Sequence, residues 1–235
     1  MLGRRVMKKF YIFIFIIIFS SLILVSCMDN TYNLALNNIS EIRENILVYK
    51  DDDIYVSFMS GTRESDYRLD GVSTTKTNFA VVNLEILNEI FDFNSKNVSY
   101  SMIINDIKYE DKMLNNPYDN SFVADLKINA TSIDHCEISF KIDDITKTVI
   151  LSTITENWDI KAKDGLRIVC TDLKDYLKQH IYDNALNAEI FIKVVYNDKY
   201  SEGYFWYIQL VTTNGNVYTE IINPLNGEIV ARNLS

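Results

Sequence analysis

The feature that most restricts the fold of this 235-residue chain is a series of short apolar runs with a period of two residues. Between Ile39 and about Thr155 they fall at 45–49, 54–59, 79–87, 98–104, 107–110, 121–128, 135–142 and 146–152. Side chains alternate across a β-strand, so an apolar residue at every second position buries one face and leaves the other to water. The run 135–142 is the clearest, with Cys136, Ile138, Phe140 and Ile142 alternating with His135, Glu137, Ser139 and Lys141. Turn residues separate the runs at Asp51-Asp52-Asp53, Asp70-Gly71, Asn105-Asp106, Asn115-Asn116-Pro117 and Asp143-Asp144. Seven or eight short strands without an intervening helix predict an antiparallel β-sandwich over 39–155, immunoglobulin-like in outline but lacking the Cys-Trp-Cys pattern of antibody domains.

Near Trp158 the period changes. Leu166, Val169, Cys170, Leu173, Tyr176, Leu177, His180 and Ile181 recur at three and four residues, which predicts one helix from about Ala162 to Tyr182. Strand patterns then return at 189–196, 204–213, 217–223 and 228–231, with Asn214-Gly215 and Pro224 to Gly227 as turns. On the strand from Tyr204, residues Tyr204, Trp206, Ile208 and Leu210 point one way and Phe205, Tyr207, Gln209 and Val211 the other. One helix covers one face of such a sheet. The other face packs on the first domain or offers Phe205 and Tyr207 as an aromatic patch to a partner.

Residues 158–232 resemble a PepSY-type domain, a small helix-plus-sheet module of secreted and membrane-associated proteins. The resemblance is carried by Ile160-Lys161-Ala162 at the helix start, by Tyr204 to Leu210, by Asn214-Gly215-Asn216-Val217-Tyr218, and by Ile222 to Ile229. Asn223 stands where the family has Asp, Asn226 where it has Thr, and Gly165 where its helix often has Ala. The resemblance implies a role in inhibiting or regulating secreted peptidases and names no active residue. The expected architecture is therefore α+β: a β-sandwich at 39–155 followed by a PepSY-like domain at 158–235.

The N-terminus decides compartment rather than fold. Arg4, Arg5, Lys8 and Lys9 precede any acidic residue, and from Phe10 to Val25 only Ser20 and Ser21 are polar. As a helix this run measures roughly 24 Å, short of the roughly 30 Å a permanent span requires. Basic head, apolar core and small residues before a cysteine make residues 1–26 an export signal, with Met1 or Met7 as the start. Leu24-Val25-Ser26-Cys27 resembles the lipobox of bacterial lipoproteins, which implies a lipid on Cys27 and cleavage just before it. Residues 27–38 then read as the lipidated N-terminus and a polar tether. The expected location is extracytoplasmic, anchored to the membrane by the lipid.

Loss of residues 1–26 removes four basic residues and no acidic one, taking the net charge from −9 to −13. Nucleic acid and anionic lipid surfaces both call for basic residues, so this balance argues against them as ligands. Cys136 and Cys170 are candidates for a disulfide outside the cell or for two buried thiols. His135 and His180 lack metal-ligand spacing, and Asp51-Asp52-Asp53 lacks the alternating oxygen ligands of a calcium loop, so neither a metal nor a cofactor is expected. No Gly-x-Ser-x-Gly elbow occurs, and Ser60 to Gly71 is expected to be the longest polar loop of the first domain. These observations favour a non-enzymatic binding module for an envelope protein or peptide. The alternatives are a hydrolase or hydrolase accessory acting on envelope polymers, and a structural lipoprotein.

Overall fold

A computed structural model describes residues 30–65, 74–87, 96–116, 121–128, 133–197 and 203–234. The expected export signal and Cys27 lie outside these residues, as do Asp70-Gly71 and Pro117. In chain order the elements are α1 (Asn30–Asn37), β1 (Ile39–Lys50), β2 (Ile54–Glu64), β3 (Lys76–Ile86), β4 (Val98–Ile104), β5 (Ile107–Lys112), β6 (Leu114–Asn116), β7 (Ser121–Leu126), β8 (His135–Ile142) and β9 (Ile145–Thr153). There follow α2 (Ala162–Asp172), α3 (Lys174–Gln179), β10 (Ile181–Tyr182), β11 (Ala185–Leu186), β12 (Ala188–Asn197), β13 (Gly203–Thr212), β14 (Val217–Ile222) and β15 (Ile229–Leu234).

The expected α+β architecture is corrected by this arrangement. Among the described residues strands make up 61% and helices 14%, and thirteen of the strands belong to one sheet that curls into a nearly closed barrel rather than stacking as a sandwich. The cause is β1. Along its length it pairs antiparallel with β2, while on its opposite edge Ile39–Ile42 pair parallel with β12 and Leu47 and Val48 pair antiparallel with β9. A bulge between Arg43 and Asn45 lies where the opposite edge passes from β12 to β9. Such an extra residue increases local twist and bends the strand.

From β1 the barrel wall runs one way through β2, β3, β7 and β6, and the other way through β9, β8, β4 and β5. Met113 alone separates β5 from β6, its amide donating to Val98 O at 2.8 Å and its side chain buried. This single stretch therefore pairs with β4 before Met113 and with β7 after it. Closure by a continuous chain leaves little unpaired edge. The interior is filled by the alternating residues of each wall strand, among them Leu47, Phe58, Leu84, Phe122, Phe140 and Leu151. Burial of each large side chain contributes about 1.5–3 kcal/mol.

A second core lies under the helices. Ile190, Ile192, Trp206, Ile208 and Leu210 on the sheet meet Leu166, Val169 and Cys170 of α2 and Leu177 of α3. The helical stripe is thus split in two at Leu173, and Ile181 and Tyr182 leave it for a two-residue hairpin with β11. Gly165 faces this sheet, where a Cβ would stand 3.1 Å from Ile208 Cδ1, so the glycine lets α2 sit close. Within the stretch read as a tether, Asn30–Asn37 is a helix whose Tyr32 and Ala35 enter this core together with Ile39 and Ile42, with Leu34 and Leu36 packed against it. Tyr32 and Ala35 are three apart and Ala35 and Ile39 four apart, a helical spacing that eight mostly polar residues barely reveal.

Candidate functional site

The bulge in β1 opens a groove between the barrel mouth and the start of α2. One cavity of about 400 Å³ has Leu36, Ile39 and Ile42 as apolar lining and Thr62, Lys76, Asn78 and Lys163 as polar lining. A second, of about 310 Å³, is lined by Thr155, Lys161, Ala162, Lys163 and Trp206. The two share Glu44, Asn45 and Lys163 and together form one groove. Its walls come from distant parts of the chain: the bulge from β1, Lys76 and Asn78 from β3, and Lys161 and Lys163 from the entry to α2.

The supports of this groove are local and polar. Asn45 Nδ2 donates to Ser60 Oγ at 3.2 Å, tying the bulge to β2. Gly61 is required there, because a Cβ would lie 1.8 Å from Ile42 O. Tyr32 Oη donates to Lys163 O at 3.2 Å, and its ring carries the Arg167 guanidinium 4.8 Å from the centroid, so α1 holds the first turn of α2. Trp206 Nε1 donates to Ile160 O at 2.8 Å, and its ring meets Trp158 edge-on at 5.0 Å.

Charge is what distinguishes this groove. In a chain of net charge −9, it gathers Lys76, Lys161 and Lys163 against one carboxylate, Glu44. Burial holds the Lys76 ammonium below its ordinary pKa, opposed by the charge of Glu64. One partly desolvated ammonium, Lys76, with the exposed ammonium groups of Lys161 and Lys163 and nearby hydroxyl and amide groups, suits an anionic ligand. The lining includes neither His nor Cys, and among the described residues no group of three or more His, Cys, Asp and Glu could hold a metal ion.

The residues singled out from the sequence lie elsewhere. Phe205 is only 3% exposed and Tyr207 half-buried, with the Tyr207 hydroxyl 3.4 Å from Thr219 Oγ1 and accepting from Gln209 Nε2 at 3.2 Å. The pair therefore does not form an open aromatic patch. The helices take the opposite face, that of Trp206, Ile208 and Leu210. Cys136 lies in the barrel core and Cys170 on the buried face of α2, and no disulfide joins them. Burial, followed by the nearby Glu137 charge, pushes the Cys136 thiol up to about 11.

Asp51 accepts from the amides of Asp53 and Ile54, both at 2.9 Å, and pairs with Lys147 Nζ at 2.7 Å. The lysine contact and these amides hold its carboxyl well below the usual carboxylate range. This is a turn clamped to β9. The expected loop from Ser60 begins later, since β2 continues to Glu64. His135 is exposed at the start of β8, and His180 ends α3 with its ring 4.5 Å from that of Tyr176.

The groove residues were missed because their shared feature is spatial. Lys161 and Lys163 look like ordinary charges at a helix start, and Lys76 lies about ninety residues away. The bulge at Glu44 carries the one usable signal, a break in alternation between Ile42 and Leu47. No family model matches the chain, and no characterised protein or solved structure matches it either.

Proposed function

We propose that the protein is an extracytoplasmic lipoprotein, held to the membrane through Cys27, that binds an acidic peptide or protein segment in the lysine-lined groove. The observation that carries this reading is the local inversion of charge: three lysines and one carboxylate line a groove in an acidic molecule. An acidic segment laid along the bulge would exchange water for three ammonium groups while an apolar side chain contacts Leu36, Ile39 and Ile42. The electrostatic part would weaken as salt shortens the Debye length from roughly 10 Å at 0.1 M to 3 Å at 1 M. The PepSY-like resemblance of residues 158–232 would place secreted peptidases among the partners.

The test uses full-length protein in detergent and short peptides of matched length, one acidic with an apolar residue and one neutral. Trp158 and Trp206 are the only tryptophans, and Trp206 borders the groove, so intrinsic fluorescence reports occupancy. The acidic peptide should bind more tightly at low salt, and the double variant Lys76→Glu, Lys163→Glu should lose about tenfold or more in affinity, equivalent to about 1.4 kcal/mol. Equal binding of both peptides, or an unchanged affinity in the variant, would exclude this site.

A further inference from the structure

A further cavity, of about 430 Å³ and separate from the lysine groove, is lined by Lys50, Tyr55, Glu85, Leu87, Tyr196 and Tyr204. Sheet register explains its chemistry. Lys50 lies opposite Tyr55, and Tyr55 opposite Glu85, so one row across β1, β2 and β3 offers a cation, a phenol and a carboxylate. Tyr196 lies opposite Tyr204 at the ends of β12 and β13, their rings meeting at 5.1 Å in a T-shaped pair. The two rows are joined by the hydroxyls of Tyr55 and Tyr204, 3.2 Å apart. Tyr196 is 54% exposed and forms an aromatic wall open to water.

We propose that this tyrosine-lined cavity binds a neutral oligosaccharide. A pyranose presents an apolar C–H face bordered by hydroxyls, and it needs a ring to stack on beside groups that both donate and accept hydrogen bonds. Tyr196 and Tyr204 supply the rings, their hydroxyl-bearing edges being as polar as their faces are apolar. Lys50 donates, Glu85 accepts and Tyr55 does both. Burial, with the Tyr204 contact, raises the Tyr55 phenol above its ordinary pKa and keeps it protonated. The charges of Lys50 and Glu85 cancel, so the cavity attracts neither a polyanion nor a polycation, in contrast to the lysine groove. Its volume lies within the range of roughly 300–1,000 Å³ typical of small-ligand sites.

The experiment is calorimetric titration of full-length protein in detergent with cellotetraose, maltotetraose and tetra-N-acetylchitotetraose. At least one should bind saturably. Tyr196→Ala should weaken that binding about tenfold or more, and Tyr196→Phe, which keeps the ring, should retain most of it. Lys76→Glu, Lys163→Glu should bind the sugar as the native protein does, so this result is independent of the acidic-peptide groove. No saturable binding of any of the three probes, native affinity in Tyr196→Ala, or sugar binding lost with the lysine pair would each overturn the proposal.

Discussion

Glu220 offers a sharp energetic test of this fold. It sits on the helix-facing side of β14, 1% exposed, with its Oε1 3.3 Å from Arg232 Nε and neither oxygen given an aligned hydrogen-bond donor. Arg232 in turn pairs with Asp172 at the end of α2, 2.7 Å away. Burial first and the neighbouring Asp172 second push the Glu220 carboxyl from 4.5 up to about 8, while Arg232 opposes them. Between those two values the native protein keeps a proton that the unfolded chain has released. Stability attributable to this group is therefore full below pH 4.5 and declines by about 1.4 kcal/mol per pH unit until pH 8. Across the whole window the loss approaches about 5 kcal/mol, an upper value because water entering near the ionised group would relieve part of it.

Glu220→Gln keeps the shape, removes the titration and leaves an amide able to donate to Asp172. Thermal unfolding of native and variant proteins from pH 5 to pH 9 should give melting temperatures that converge near pH 5. They should diverge towards pH 8, where the variant is expected to be higher by about 5–15 °C for a chain of this size. Parallel curves over that range would show that Glu220 is ionised in the native fold and that Arg232 compensates it fully, and the reasoning would fail.

Two further outcomes follow from residues already placed. Gly61→Ala puts a methyl group against the backbone of Ile42, and since the bulge cannot yield without breaking the β1–β2 ladder, a loss of about 3 kcal/mol or more is expected in urea unfolding, with peptide binding in the lysine groove lost as well; a loss below about 1 kcal/mol would mean that the bulge can shift. Cys27→Ala should abolish incorporation of a labelled fatty acid into the protein and leave an uncleaved precursor, and equal labelling of native and variant chains would refute lipid attachment there.

Strand identity was largely written in the sequence, because alternation is a local property. Cys136 to Ile142 and Tyr204 to Leu210 declare their two faces without help from the rest of the chain, and Asn214-Gly215 and Pro224 to Gly227 separate β13, β14 and β15 as turn chemistry requires. The acidic balance, the apolar N-terminal segment and its terminal cysteine are equally local, and they supply the proposal of compartment. Which strands become neighbours is not local. Ile39 and Ile42 stand three apart and declare no partner by themselves, yet this stretch joins β12 in parallel, and that pairing, with β9 on the same edge beyond the bulge, makes one continuous sheet of the early and late strands. The lysine groove and the tyrosine cavity likewise depend on register across residues far apart in the chain. Side-chain period constrains each strand separately, whereas closure, edge sharing and charge convergence are decided only when the strands pack.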